Sequence, residues 1–163
     1  MQGSHMKTLF KSFVLGAALT IAAGAMAAAP PDPALGTWTL NVTKSTFGTF
    51  PAPKSQTRTY AADADGIALT ISGVEADGTA ISQASTFKYD GKAYNFTGSP
   101  LFDAITLKRV NGSTVRASML KAGKPVGTAT RSISGHGKVL TLTTKGTSAK
   151  GQAYQVVEVY DKQ

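Results

Sequence analysis

The side chains equipped for chemistry are few and scattered. Beyond His5 in the leading MQGSH, the chain carries one histidine, His136, within Ser134-Gly135-His136-Gly137-Lys138. Glycines on both sides mark a hairpin tip, so this spacing predicts a turn residue rather than a general base. Cysteine is absent. A Ser-His-acid triad or a Cys-His pair therefore has no well-placed base, and structural zinc lacks its usual ligand set. Asp63-x-Asp65-Gly66 resembles the opening of a calcium loop, but the later ligands, including the closing glutamate, are missing. Gly135-His136-Gly137-Lys138 lacks the spacing and the following Ser/Thr of a phosphate loop. Only nine carboxylates are present, and most of the aspartates fall in turn signals. Glu158 stands apart, among Val157, Val159 and Tyr160. If buried it needs a cationic partner, for which Arg58, Arg109 and Arg131 are the candidates. No second acid is placed to share its surroundings, which argues against a two-carboxylate glycosidase. Neither a metal nor a cofactor is expected.

What remains suits binding better than turnover. Arg58, Tyr60, Phe87, Tyr89, Tyr94 and Arg109 combine aromatic surface with a few polar points, the usual composition of a small-molecule site. Arginine among them is suited to an anionic head group. Such residues need a frame that turns them toward one space.

That frame is legible as alternation. Strand-like runs follow one another: Gly36–Val42, Lys54–Ala61, Ile67–Val74, Ala80–Tyr89, Ala93–Phe96, Ala104–Val110, Thr114–Lys121, Pro125–Ser134, Val139–Gly146 and Ala153–Asp161. Asp-Gly, Asn-Gly and other glycine turns separate them, supplying the positive φ that tight hairpins need. The runs are rich in Thr, Val, Ile and Tyr, and no later segment shows a 3.6-residue apolar stripe. The prediction is an all-β fold of about 8–10 strands, each hairpin-paired to the next. Closing the meander into an up-and-down antiparallel barrel removes both bare edges. A two-sheet sandwich needs longer crossovers than the chain provides. One set of alternating positions should face inward: Trp38, Leu40 and Val42; Ile67, Leu69 and Ile71; Ile81 through Tyr89 in steps of two; Ile105, Leu107 and Arg109; Val115, Ala117 and Met119; Leu140 and Leu142. The run from Lys54 is ambiguous, with Gln56, Arg58 and Tyr60 on one face and Thr57, Thr59 and Ala61 on the other.

Gly36-x-Trp38 at the head of such a meander resembles the opening of the calycins, the lipocalin and fatty-acid-binding-protein barrels. The resemblance implies that Gly36 and Trp38 close one barrel end, with a late-strand arginine over the indole. Arg131 is the first candidate for that role and Arg109 the next. GTWTLNVTKSTF, PAPKSQT, KYDGKAYNFTG, TLKRV, GTATR and VEVYDKQ also resemble a lipocalin-like family of small secreted bacterial proteins, which brings a fold expectation and no activity. The helical lid of fatty-acid-binding proteins has no counterpart in Thr43–Pro53, and the Thr-Asp-Tyr motif of typical lipocalins is absent. Since some calycin-like barrels hold haem, ligation by His136 is the single haem option.

The ends set the expected location. Residues 1–5 read as a vector-derived scar. Residues 6–27 have a basic start at Lys7 and Lys11, an apolar core from Phe13 and an Ala25-Met26-Ala27 cleavage site, the pattern of a secretory signal peptide. The apolar run is short for a membrane span, and stable insertion after cleavage is not expected. Residues 28–35 form a proline-rich lead into a single barrel domain, 36–163. Export to the periplasm or beyond is therefore predicted, and a cysteine-free domain of this size relies on its core. The net charge of +8 is spread singly, without a stripe or an aromatic-basic module, so no nucleic-acid partner is expected. A solvated basic surface favours anionic envelopes or ligands.

Three readings follow. The first is an exported carrier of a small apolar or amphipathic molecule. The second is a barrel enzyme of cyclase, isomerase or esterase type, working through Tyr, Arg or Glu158. The third is a non-catalytic envelope or surface protein whose barrel is filled by side chains.

Overall fold

The computed structural model describes residues 31–148 and 150–163. The expected vector-derived residues, the expected signal peptide and the first residues after it lie outside this range. Ten strands follow in order: β1 Gly36–Leu40, β2 Ser55–Asp63, β3 Gly66–Val74, β4 Ala80–Phe87, β5 Asp90–Asn95, β6 Ala104–Arg109, β7 Thr114–Lys121, β8 Lys124–Ser134, β9 Val139–Thr147 and β10 Ala153–Lys162. They form one antiparallel sheet ordered β4-β3-β2-β1-β10-β9-β8-β7-β6-β5. The first strand pairs with the last, Trp38 opposite Lys162 and Leu40 opposite Tyr160. The result is a nearly closed up-and-down barrel.

The opening lies where the alternation predicts an ordinary hairpin. β4 and β5 are consecutive yet form no ladder. β4 ends at Phe87, earlier than expected, and a register shift between Asp90 and Ala93 turns β5 away. An isolated bridge joins Ala84 to Thr97 beyond the end of β5. The buried Ser85 hydroxyl donates to the Asn95 carbonyl at 2.7 Å, so a side chain spans part of the seam. Gly98 (φ +80°) lets the next loop settle on β4, because a Cβ there would collide with the Ser82 carbonyl.

The core follows the predicted face. Trp38, Leu69, Ile71, Ile81, Phe87, Ile105, Leu107, Val115, Met119, Leu140 and Tyr160 are buried in one cluster. Val42 and Arg109 are exceptions and are exposed. β1 stops at Leu40, and Asn41 caps a 3-10 turn, Val42–Lys44, by accepting the Lys44 N–H. That turn is the only helical element among the described residues of Thr43–Pro53. No helix among the described residues is long and apolar enough to cross a membrane.

Candidate functional site

Barrel closure leaves room inside. A cavity of about 420 Å³ opens between the β1–β2 loop, which brings Phe47, Phe50 and Pro51, and the β5–β6 loop, which brings Pro100, Leu101 and Phe102. Tyr154 completes the rim, with the Phe50 ring edge-on to it at 5.0 Å. A barrel packed solid by side chains is thereby ruled out. The pleat decides what lines the space: alternate residues of each strand point inward, and β2 resolves its ambiguity by turning Gln56, Arg58 and Tyr60 into the cavity.

The lining mixes a few polar points with a mostly apolar wall, and Gln83 and Arg131 also line it. β2 and β10, both neighbours of β1, contribute Gln56, Arg58 and Glu158. Across the barrel, β6 and β7 contribute Ile105, Leu107, Val115, Ala117 and Met119, and Phe87 continues the apolar side. The Tyr160 hydroxyl sits between the Gln56 amide and the Glu158 carboxylate, the latter at 2.9 Å. It has one proton to donate, so it serves one acceptor at a time.

Arg58 is the anomaly. It is 8% exposed, and its Nε has no hydrogen-bond partner among the described residues. No carboxylate of those residues lies within 4.0 Å of its guanidinium. Glu158, the acid expected to need an arginine, is instead bonded to Tyr160. The Arg58 guanidinium stands 5.5 Å from the centre of the Tyr160 ring. Burial works against its charge, but Tyr60, Tyr160 and Glu158 outweigh that and hold the proton more tightly than usual. Buried cations are ordinarily paired, and this one faces the cavity.

Not every predicted residue reaches that space. Arg58, Tyr60 and Phe87 line it, whereas Tyr89, Tyr94 and Arg109 stand outside the lining. Tyr94 donates to Asp90 at 2.8 Å on its own strand. Tyr89 follows the end of β4 and Arg109 ends β6, so both lie below the cavity floor at the closed end. There Asp32 gathers them. Arg109 donates to Asp32 at 2.6 Å, Arg131 lies 3.6 Å from its other oxygen, and Arg131 donates to the Tyr89 hydroxyl at 2.9 Å. The Arg109 guanidinium stacks 4.4 Å from the Tyr89 ring centre. Burial raises the Asp32 carboxyl, but the Tyr89 hydroxyl, the Ala34 amide and the two arginines together hold it below its ordinary value. Burial pushes the Tyr89 hydroxyl up to about 12.

The expected barrel closure is also corrected. The cation recorded over Trp38 is Lys162, 5.0 Å from the ring centre. Arg131 instead lies 5.1 Å over Tyr60 and lines the cavity. The reason is height: alternation gives the face of a residue, while the β1–β10 register sets its level and brings Lys162 opposite Trp38. The indole N–H donates to the Ala34 carbonyl at 2.7 Å, so the segment before β1 helps close this end. Asp32 is the charged residue of this end that alternation missed. One signal was available, a lone acid in a proline turn in a chain with an excess of inward arginines.

His136 is exposed at a turn with φ 55°. Burial raises the Tyr160 hydroxyl well above its usual range, and Arg58 is shifted upward too. Both changes move these groups away from the near-neutral pKa that a general base needs. No cluster of metal-ligating side chains occurs among the described residues.

No family model matches the chain, and no curated protein matches it in sequence. Among solved structures it is similar to the zebrafish ileal bile acid-binding protein in complex with cholic acid. The TM-score is 0.51 at 17% identity, covering 80% of this chain and 99% of that one. At such identity the likeness speaks for the fold, a barrel of the fatty-acid-binding-protein and lipocalin kind.

Proposed function

We propose that this barrel binds a small amphipathic molecule bearing an anionic group. The anion sits at Arg58 and the apolar body lies against Phe87, Leu107, Val115 and Met119. The observation that carries this reading is the buried guanidinium facing an open cavity with no carboxylate of the described residues within 4.0 Å. A ligand carboxylate or sulfonate would supply the missing charge-assisted hydrogen bonds. The structural neighbour's bound cholic acid is itself a small amphipathic acid, in keeping with a fold that holds such ligands.

The same proposal keeps residues 6–27 as an export signal and places the barrel in the periplasm or outside the cell. Amino-terminal sequencing of protein from its own host should find a start after Ala27. An uncleaved Met6 start in the cytosol would overturn that location.

The binding reading is tested with 1-anilinonaphthalene-8-sulfonate. One equivalent should bind saturably and be displaced by dodecanoate more readily than by 1-dodecanol. Native mass spectrometry of protein from its own host should show a retained small acid. No saturable binding together with a clean ligand-free mass would sink the carrier reading.

A further inference from the structure

Two arginines line the cavity, and the closed end treats them differently. Arg131 has a carboxylate within salt-bridge distance, whereas Arg58 has none so close and feels Glu158 only from farther off. Arg131 lies 3.6 Å from Asp32 and bonds to Tyr89, while no carboxylate among the described residues comes within 4.0 Å of Arg58. The Nε of each lacks a partner, so the counter-ion is the difference between them. Asp32 comes from no barrel strand. It lies in the segment before β1, where its Oδ1 accepts the Ala34 N–H at 2.8 Å and its carbonyl accepts the Leu35 N–H at 3.0 Å. Ala34 is fully buried and its carbonyl takes the Trp38 indole N–H. The segment is thus a strap pinned across the closed end, presenting one carboxylate to Arg131 from the side away from the cavity mouth.

We infer that Asp32 is a specificity-determining residue: by neutralising Arg131 it leaves Arg58 as the one cavity arginine open to a ligand's anion, and so sets where the anionic group lies. This rests on the binding reading above. The Asp32 and Arg131 side chains are 7% and 6% exposed, so their attraction is little screened by solvent. Arg109, which shares Asp32, is 36% exposed and its remaining charge is solvated. Without Asp32, two buried guanidinium groups would compete for one anion and the ligand would have two poses. With it, the anion is held on the β2 wall, and the Tyr60 ring packs beneath the masked Arg131.

The test follows the arginine Nε–H resonances by ¹⁵N NMR as dodecanoate is added, with Arg58→Lys and Arg131→Lys identifying the two peaks. In the unsubstituted protein the Arg58 resonance should move and that of Arg131 should stay. In Asp32→Asn both should move. A shifted Arg131 resonance in the unsubstituted protein, or a still one in folded Asp32→Asn, would overturn the assignment while leaving the binding reading intact. Should Asp32→Asn fail to fold, Arg58→Gln carries the second half. Its dodecanoate affinity should fall at least tenfold with the Arg131 resonance unmoved, and a shifted Arg131 there overturns the assignment. No saturable dodecanoate binding to the unsubstituted protein overturns the binding reading and this assignment together.

Discussion

Lys162 lies across the face of Trp38, its Nζ 5.0 Å from the ring centre, and Gly36 makes room for it. A Cβ on Gly36 would stand 3.0 Å from Lys162 Cε, and Gly36 has φ +120°. The Gly-x-Trp pair is thus a seat for a cation from the last strand. Gly36→Ala should destabilise the barrel by about 1–3 kcal/mol, combining backbone strain with crowding. Lys162→Met should cost less, about 1 kcal/mol, the size of a cation–π contact. Urea denaturation measures both. A Gly36→Ala midpoint equal to that of the parent would remove the seat.

The only tryptophan is also fully buried. Its emission should be that of an indole shielded from water, resist acrylamide quenching and shift to the red on unfolding. The shift should coincide with loss of the far-ultraviolet signal if the barrel unfolds in one step. Strong quenching of the folded protein would contradict the strap over Trp38.

The positions of the strands were legible because each inward row alternates and each turn carries glycine or another turn former. The inward face of β3, β4, β6 and β7 was likewise readable from Ile, Leu, Val and Phe at alternate positions. Height was not. Arg109 and Tyr89 lie on the predicted face but below the cavity floor, since where a strand stops depends on its neighbours. Lys162 took the place over Trp38 expected of Arg131 because the β1–β10 register joins chain positions more than a hundred residues apart. The open β4–β5 seam was hidden by Asp90-Gly91, a turn signal like those of the paired hairpins. Asp32 escaped because a proline-rich lead has no period to read.

Acid should loosen the strap. The Asp32 carboxyl is held below its ordinary value of 3.8 in the folded barrel, so its ionised form stabilises the native state above the unfolded pKa. That contribution is lost as pH falls through the lower folded pKa. Thermal midpoints of the parent should therefore drop below about pH 4 more steeply than those of Asp32→Asn. Parallel curves for the two proteins over that window would show that the Asp32 contacts do not contribute.

The seam between β4 and β5 hangs partly on one hydroxyl. Ser85→Ala removes the 2.7 Å bond to the Asn95 carbonyl and should cost about 1 kcal/mol. Hydrogen exchange should quicken in β4 and β5 and stay unchanged in β1 and β10. A uniform increase across the barrel would mean that the bond supports global stability rather than the seam.

Arg58 should trade stability for binding. The barrel buries its charge with no carboxylate of the described residues within 4.0 Å; that desolvation opposes folding, while Tyr60, Tyr160 and Glu158 act in the other direction. Arg58→Met keeps much of the side-chain length and removes the charge. The ligand-free variant should be more stable than the parent by about 1–2 kcal/mol, since apolar replacement of buried ions is often stabilising. The same change should weaken an anionic probe by about tenfold or more, the loss of one hydrogen bond to a charged group being about 1.5–3 kcal/mol. An uncharged probe of equal length should bind nearly as before. A destabilised Arg58→Met would mean that the guanidinium is compensated within the empty barrel, and that the site is built to hold the arginine rather than the ligand.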